Sequence, residues 1–145
     1  MSYLVDTNIL LRSVQPSHPM HVDAAGAVGK LSTQGEQLLI VPQNLIEFWA
    51  VATRPTESNG LGLSVDEAAR ELVRLKSLFP LLHDTAAIFP EWEGLVSRHQ
   101  VKGKEAHDAR IVASMLAHKV THLLTFNTDD FKRYSQITAV NPRDV

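Results

Sequence analysis

The chain opens on a short apolar run, Tyr3-Leu4-Val5, that stops at Asp6 and gives way to Thr7-Asn8. This predicts a buried strand, Tyr3 to Asp6, whose last residue points out of the sheet edge into the start of a short helix, Ile9 to Ser13. Pro16 and Pro19 break the chain. His21 to Gln34 then places Val22, Ala25, Val28 and Leu31 near helical spacing, although Gly26 and Gly29 weaken that helix. Gln37 to Val41 reads as a second strand closed by Pro42. After it, Leu45 to Val51 is a helix that is apolar on most sides, with Glu47 set among Leu45, Ile46, Phe48 and Trp49. Arg54 to Ser64 is rich in Pro, Ser, Asn and Gly and reads as a loop, and Ser64 with Glu67 makes a capping box for a helix over Val65 to Ser77. Leu78 to Leu82 predicts a third strand, starting at or after Pro80. Helices over Ala86 to Gln100 and Ala106 to His118 flank the loop Val101 to Lys104, and strands His122 to Thr125 and Ile137 to Val140 complete the pattern. Strands alternating with helices predict the α/β class: three layers, α/β/α, with a central and mainly parallel sheet flanked by helices. No repeat or low-complexity segment divides the chain, so residues 1–145 read as one domain.

Composition narrows the chemistry. The 145 residues contain no cysteine, which removes disulfides, a thiol nucleophile and thiolate metal sites, so any metal is held by oxygen or imidazole. The apolar runs are too short to span a bilayer, and Asp6 interrupts any basic-then-apolar leader, so a cytoplasmic chain with no membrane partner is the expectation. The formal charge is −2, from 14 basic and 16 acidic residues, which shows no overall basic imprint of a nucleic-acid partner. Phosphate-binding loops, the dinucleotide fingerprint, the nucleophile elbow and His-Glu-x-x-His are all absent.

In an open parallel sheet, ligands bind beyond the carboxyl ends of the strands. The acids that fall there are Asp6 after the first strand, Glu47 in the helix after the second, Asp108 in the first turn of the Ala106 helix, and Asp129 and Asp130 after the Leu123–Thr125 strand. Taken singly, Asp6 and Asp108 read equally well as helix caps or dipole partners, and Asp129 and Asp130 as a solvated turn, whereas Glu47 among large apolar residues is costly to bury unless it is paired or bound to metal, a solvent-facing stripe being the competing reading. Gathered at one sheet edge they repel one another unless a multivalent cation neutralises them, and an all-oxygen cluster suits Mg²⁺ or Mn²⁺. Hydrolysis of a phosphodiester by metal-activated water follows naturally from such a site.

Val5-Asp6-Thr7-Asn8, Glu47, His107-Asp108-Ala109 and Thr125-Phe126-Asn127-Thr128-Asp129-Asp130-Phe131, in this order, resemble the PIN domain, and within it the toxin ribonucleases of the VapC type. The resemblance covers essentially the whole chain. It implies a Mg²⁺- or Mn²⁺-dependent endoribonuclease with a PIN fold, acting on RNA, usually homodimeric, and inhibited by a small antitoxin protein that inserts a peptide near the acidic pocket. Asp6 and Asp108 match the metal-binding aspartates, and Glu47 the second acidic position, which bridges or orients metal and water; these three form the expected catalytic set. Thr7 and Asn8 match polar positions that orient Asp6 or a water. One position departs from the pattern: the residue after Thr125-Phe126, often acidic in the family, is Asn127, which leaves Asp129 or Asp130 to supply the missing carboxylate. Two other readings stand beside this one. One is a housekeeping RNA-processing or DNA-directed nuclease of the same fold without an antitoxin, and the other a degenerate PIN binding module.

Smaller signals modify the picture. Of seven histidines only His107 falls at the expected site, where a packed or surface imidazole is the competing reading. Phe48, Trp49, Phe89 and Trp92 read as core or dimer contacts rather than base-stacking platforms, and Phe131 as a core anchor for its loop. Position matters more than number for the basic residues. Arg98 to Arg133 carries seven bases and four acids, a balance of +3, whereas Glu57 to Glu93 carries three bases and seven acids, a balance of −4. Lys102 and Lys104 flank Gly103 just before the helix bearing Asp108, where they either hold a phosphate or line a solvated loop. With Arg12 and Arg110 they form the candidate RNA-binding set.

Overall fold

A computed structural model describes residues 1–145. The opening apolar run forms β1 (Ser2–Val5), and Asp6 caps α1 (Thr7–Ser13) by accepting from the backbone N–H of Thr7 at 2.8 Å. Then come α2 (His21–Thr33), β2 (Gln37–Leu39), α3 (Pro42–Ala52), α4 (Val65–Leu78), α5 (Ile88–Arg98), α6 (Glu105–His118), β3 (His122–Leu124) and β4 (Thr138–Val140), with three short 3₁₀ turns between or after them. The four strands are parallel and ordered β2-β1-β3-β4, with Leu4 opposite Leu39 on one side and Leu123 on the other.

Alternation along the strands divides the interior. Tyr3, Val5, Leu38 and Leu124 pack against Ile9, Leu10, Leu31, Phe48 and Leu75 of α1 to α4. Leu4, Leu39 and Leu123 turn the other way, onto Ile88, Leu95, Ile111 and Met115 of α5 and α6. Helices therefore cover both faces of the sheet, the three-layer arrangement that the strand–helix alternation predicts.

The predicted strand over Leu78 to Leu82 is not formed. Ala68, Leu72, Leu75 and Phe79 repeat at helical spacing, so the apolar positions belong to α4, which runs on to Leu78. What remains of a strand is one parallel bridge between Ile40 and Leu81: the Ile40 N–H donates to the Pro80 carbonyl at 3.1 Å, and the Leu82 N–H to the Ile40 carbonyl at 2.8 Å. Several further boundaries move: α1 begins at Thr7 rather than Ile9, and β2 ends at Leu39 rather than Val41. Helix α3 begins at Pro42 rather than Leu45, because a proline at the first helical position forgoes only an N–H that is unpaired there anyway. Helix α5 spans Ile88–Arg98, inside the predicted Ala86 to Gln100, and Gln100 lies beyond it at φ 51°.

The topology sets the site. From the central strand β1 the chain crosses one way to β2, and it later adds β3 on the other side, so β1 and β3 border the switch point at which a crevice opens beyond the carboxyl ends. Helix α6 leads into β3 through Lys119, which adopts the left-handed conformation at φ 58°. Its first turn is thereby returned to the carboxyl edge, where α1 and α3 also begin.

Candidate active site

Asp6 and Thr125 end neighbouring parallel strands, and the ladder carries them together: the Asp6 N–H donates to the Leu124 carbonyl at 3.0 Å. The Thr125 hydroxyl then donates to Asp6 Oδ2 at 2.8 Å, while Thr7 N–H holds Oδ1. Thr125 is itself held, since its Oγ1 accepts from Asn8 Nδ2 at 3.2 Å and from the Asn127 N–H at 3.1 Å. Asn8 thus acts on Asp6 through Thr125 and not directly.

Glu47 faces the same crevice from α3. Its two oxygens are divided between neighbours: Thr7 Oγ1 donates to Oε1 at 2.8 Å and Gln43 Nε2 to Oε2 at 3.1 Å. Asn44, fully buried, accepts from the Val41 N–H at 2.9 Å and donates to Thr7 Oγ1 at 3.4 Å, which ties the start of α3 to the start of α1. Sequence reading expects a high cost for a carboxylate among large apolar residues. Leu45 and Phe48 are buried, but Glu47 itself is half-exposed and has a donor for each oxygen, which removes that cost.

Asp108 enters from the first turn of α6. Gln43 Nε2 also donates to the His107 carbonyl at 2.8 Å, and Arg110 donates to Gln43 Oε1 at 3.1 Å, so one amide joins α3, Glu47 and the start of α6. Gln43, Asn44 and Thr125 are parts of the site that the sequence reading does not single out.

Like charge marks the convergence. Burial pushes the Asp6 carboxyl up to about 6 against the hydrogen bonds of Thr125 and Thr7, and the charges of Glu47 and Asp108 push the same way. Asp108 also rises to about 6, through burial first and then the charges of Asp130, Glu47 and Glu105, with His107 opposing. The acids named from distant parts of the sequence therefore act on one another.

The remaining candidates separate. Asp130 bears on Asp108 through its charge, whereas Asp129 is exposed and pairs with Lys132 at 2.7 Å. Asn127 has an exposed side chain and contributes its backbone N–H. Lys102 and Lys104 are exposed, flank Gly103 at φ 60° and enter no ion pair. Arg110 stands at the site between Gln43 and Asp84, which it reaches at 3.2 Å. Arg12 lies in the last turn of α1, donating to Gln15 at 2.7 Å, and no contact joins it to the acids. His107 is exposed.

No three carboxylate or imidazole side chains stand close enough to form a closed metal cage. The donor set nevertheless fits a hard cation. Mg²⁺ keeps several of its waters and is commonly held by one or two carboxylates, and the acids facing this crevice offer only oxygen, under mutual repulsion that a divalent charge relieves.

Comparison with known proteins gives three results. A family model described as the PIN domain matches residues 3–137. No curated protein matches the chain. Among solved structures, the chain is similar to VapBC2 from Rickettsia felis, bound to a DNA fragment from its promoter, with a TM-score of 0.72 and 16% identity over 97% of this chain and 98% of that one. It is also similar to a toxin–antitoxin complex from Klebsiella pneumoniae, with a TM-score of 0.66 and 23% identity over 99% of each chain. VapC20 from Mycobacterium tuberculosis, described as a sarcin–ricin loop cleaving toxin, aligns with a TM-score of 0.67 and 18% identity over 91% of this chain and 95% of that one.

Proposed function

This chain belongs to the PIN-domain family, and from that premise we propose that it is a divalent-metal-dependent endoribonuclease, the toxin of a toxin–antitoxin pair. The observation that carries the proposal is the meeting of Asp6, Glu47 and Asp108 at one crevice, where charge and burial raise both aspartates to about 6. Toxin–antitoxin complexes of the same fold, covering nearly all of this chain, support the toxin reading over a housekeeping nuclease.

In this reading Asp6, Glu47 and Asp108 would hold Mg²⁺ or Mn²⁺, one or two of them directly and the rest through its waters, with Asp130 as the added carboxylate near Asp108. When bound, the ion lowers the pKa of a water and offsets charge that develops on the phosphate. The chain's own residues do the positioning. Thr7 and Thr125 fix both oxygens of Asp6, and Thr7 and Gln43 do the same for Glu47, so the carboxylates are oriented before substrate arrives. Lys102 and Lys104, on the loop leading into α6, meet the RNA backbone beside Asp108. An antitoxin and a second copy of the chain are the expected protein partners.

The test is induced expression in a bacterial host, with mapping of newly formed RNA 5′ ends. The native chain arrests growth and produces new ends, Asp108→Asn does neither, and co-expression of the neighbouring small reading frame restores growth. Growth and RNA unchanged by the native chain would overturn the proposal.

A further inference from the structure

Next to the acidic crevice, a pocket of roughly 390 Å³ opens between the starts of α5 and α6. That is the size of sites that take small organic groups, roughly 300–1,000 Å³. Its walls are Ile88, Phe89 and Trp92, and its polar lining includes Asp84, His107 and Arg110. Phe89 and Trp92 present rings 5.6 Å apart at 31°, and Phe89 is left 62% exposed although nothing in the fold requires a large aromatic there. We propose that this pocket binds a nucleobase of the RNA, that of a nucleotide neighbouring the scissile phosphate, and so sets cleavage preference.

The inference rests on the nuclease reading and adds to it where the substrate is read. Two links join the pocket to the acids. Arg110 lines the pocket and donates to Gln43, which holds Glu47, and His107 lines it one residue before Asp108. The pocket and the acids are thus joined through Arg110 and Gln43 on one side and through consecutive residues of α6 on the other.

The chemistry favours a base over other occupants. The Trp92 indole N–H is already spent on the Ala106 carbonyl at 2.9 Å, so this residue offers the pocket a ring rather than a donor. Asp84 and Arg110 pair with each other at 3.2 Å, yet Asp84 keeps its second oxygen and Arg110 further N–H groups, the acceptor and donor needed for the edge of a base that stacks on the aromatic wall. An apolar helix or a second copy laid over the same groove buries the Arg110–Asp84 pair without new partners, which is costly. This differs from the reading of Phe89 and Trp92 as core or dimer contacts, because Phe89 is exposed and the pocket is bounded by His107 and Arg110, which adjoin Asp108 and Gln43.

The test uses the four nucleoside 5′-monophosphates, with ribose 5-phosphate as control, titrated against Trp49→Phe so that Trp92 is the sole indole. At least one nucleotide quenches Trp92 fluorescence, ribose 5-phosphate does not, and adding Phe89→Ala weakens the binding about tenfold, the scale of one lost base–aromatic stack. On RNA, Phe89→Ala shifts the relative use of cleavage sites. No quenching by any nucleotide, together with unchanged site preference in Phe89→Ala, overturns the inference while the nuclease reading stands. Conversion of a dimer to a monomer by Phe89→Ala with unchanged preference also overturns it, since a second copy then covers the groove. Loss of the nuclease reading is recognised separately, by a native chain that cuts no RNA.

Discussion

Asp6 is asked to cap a helix, close a strand end and stay ionised among other acids, and these demands conflict. Its carboxyl is raised from 3.8 to about 6 in the folded chain, chiefly by burial. A raised carboxyl contributes stability that is complete below 3.8 and is lost as pH rises through about 6, so at neutral pH the ionised side chain destabilises the metal-free protein. The rise corresponds to about 3 kcal/mol at 1.36 kcal/mol per pH unit. Asparagine keeps one acceptor but leaves either the Thr7 N–H or the Thr125 hydroxyl without its partner, a loss of about 1 kcal/mol. Asp6→Asn is therefore expected to stabilise the metal-free protein by about 1–2 kcal/mol at pH 7.5 and to lose that advantage by pH 4, as thermal melts at the two pH values would record. A variant less stable than the native chain at both would mean that Asp6 serves as a structural cap alone. Asp6 taken alone reads equally well as a helix cap, and it was legible only jointly, through Val5-Asp6-Thr7-Asn8 standing in order with Glu47 and Asp108. The role of Thr125 was not, because it depends on which strand lies beside β1.

Among the elements, α3 shows how one boundary decides what can be seen. With Pro42 read as the end of a strand, Gln43 lies outside the helix and has no relation to Glu47. With Pro42 as the first helical residue, the two stand four apart on one face, where side chains meet. Gln43 then bridges α3 to the His107 carbonyl at the start of α6, so its removal frees Glu47 and loosens the site's two walls together. Gln43→Ala should weaken Mn²⁺ binding about tenfold or more, within the range found for residues that orient metal ligands; titration calorimetry measures it, and unchanged affinity would show that Glu47 needs no such support. The apolar run Leu78 to Leu82 misleads for a related reason. Periodicity within five residues does not distinguish a strand from the end of a helix, and Phe79 completes the face begun by Ala68. The strand–helix alternation itself was readable, because each crossover helix carries enough residues for its own period to emerge.

For the molecule as a whole, a net charge of −2 hides a division of labour. If Asp6, Glu47, Asp108 and Asp130 serve a cation, the rest of the chain stands at +2 (−2 + 4), and in the sequence the bases of Arg98 to Arg133 bracket Asp108 and Asp130 while the acidic Glu57 to Glu93 segment lies apart. Lys102 and Lys104, exposed and without ion pairs, are the free charges nearest in sequence to Asp108. Replacing both by alanine should weaken RNA binding and lower the slope of log affinity against log salt by about 1.4, the share of two phosphate contacts on a single strand; filter binding over a salt series reads the slope, and an unchanged value would place the RNA elsewhere. The account stands most directly on cleavage by the purified chain. With Mg²⁺ or Mn²⁺ the native protein should cut RNA, and Asp6→Asn and Asp108→Asn should each lose about 100-fold or more of that activity while melting no lower than the native chain, since each removes a ligand from a centre worth several kcal/mol to the reaction. Cleavage by both variants at the native rate would contradict it.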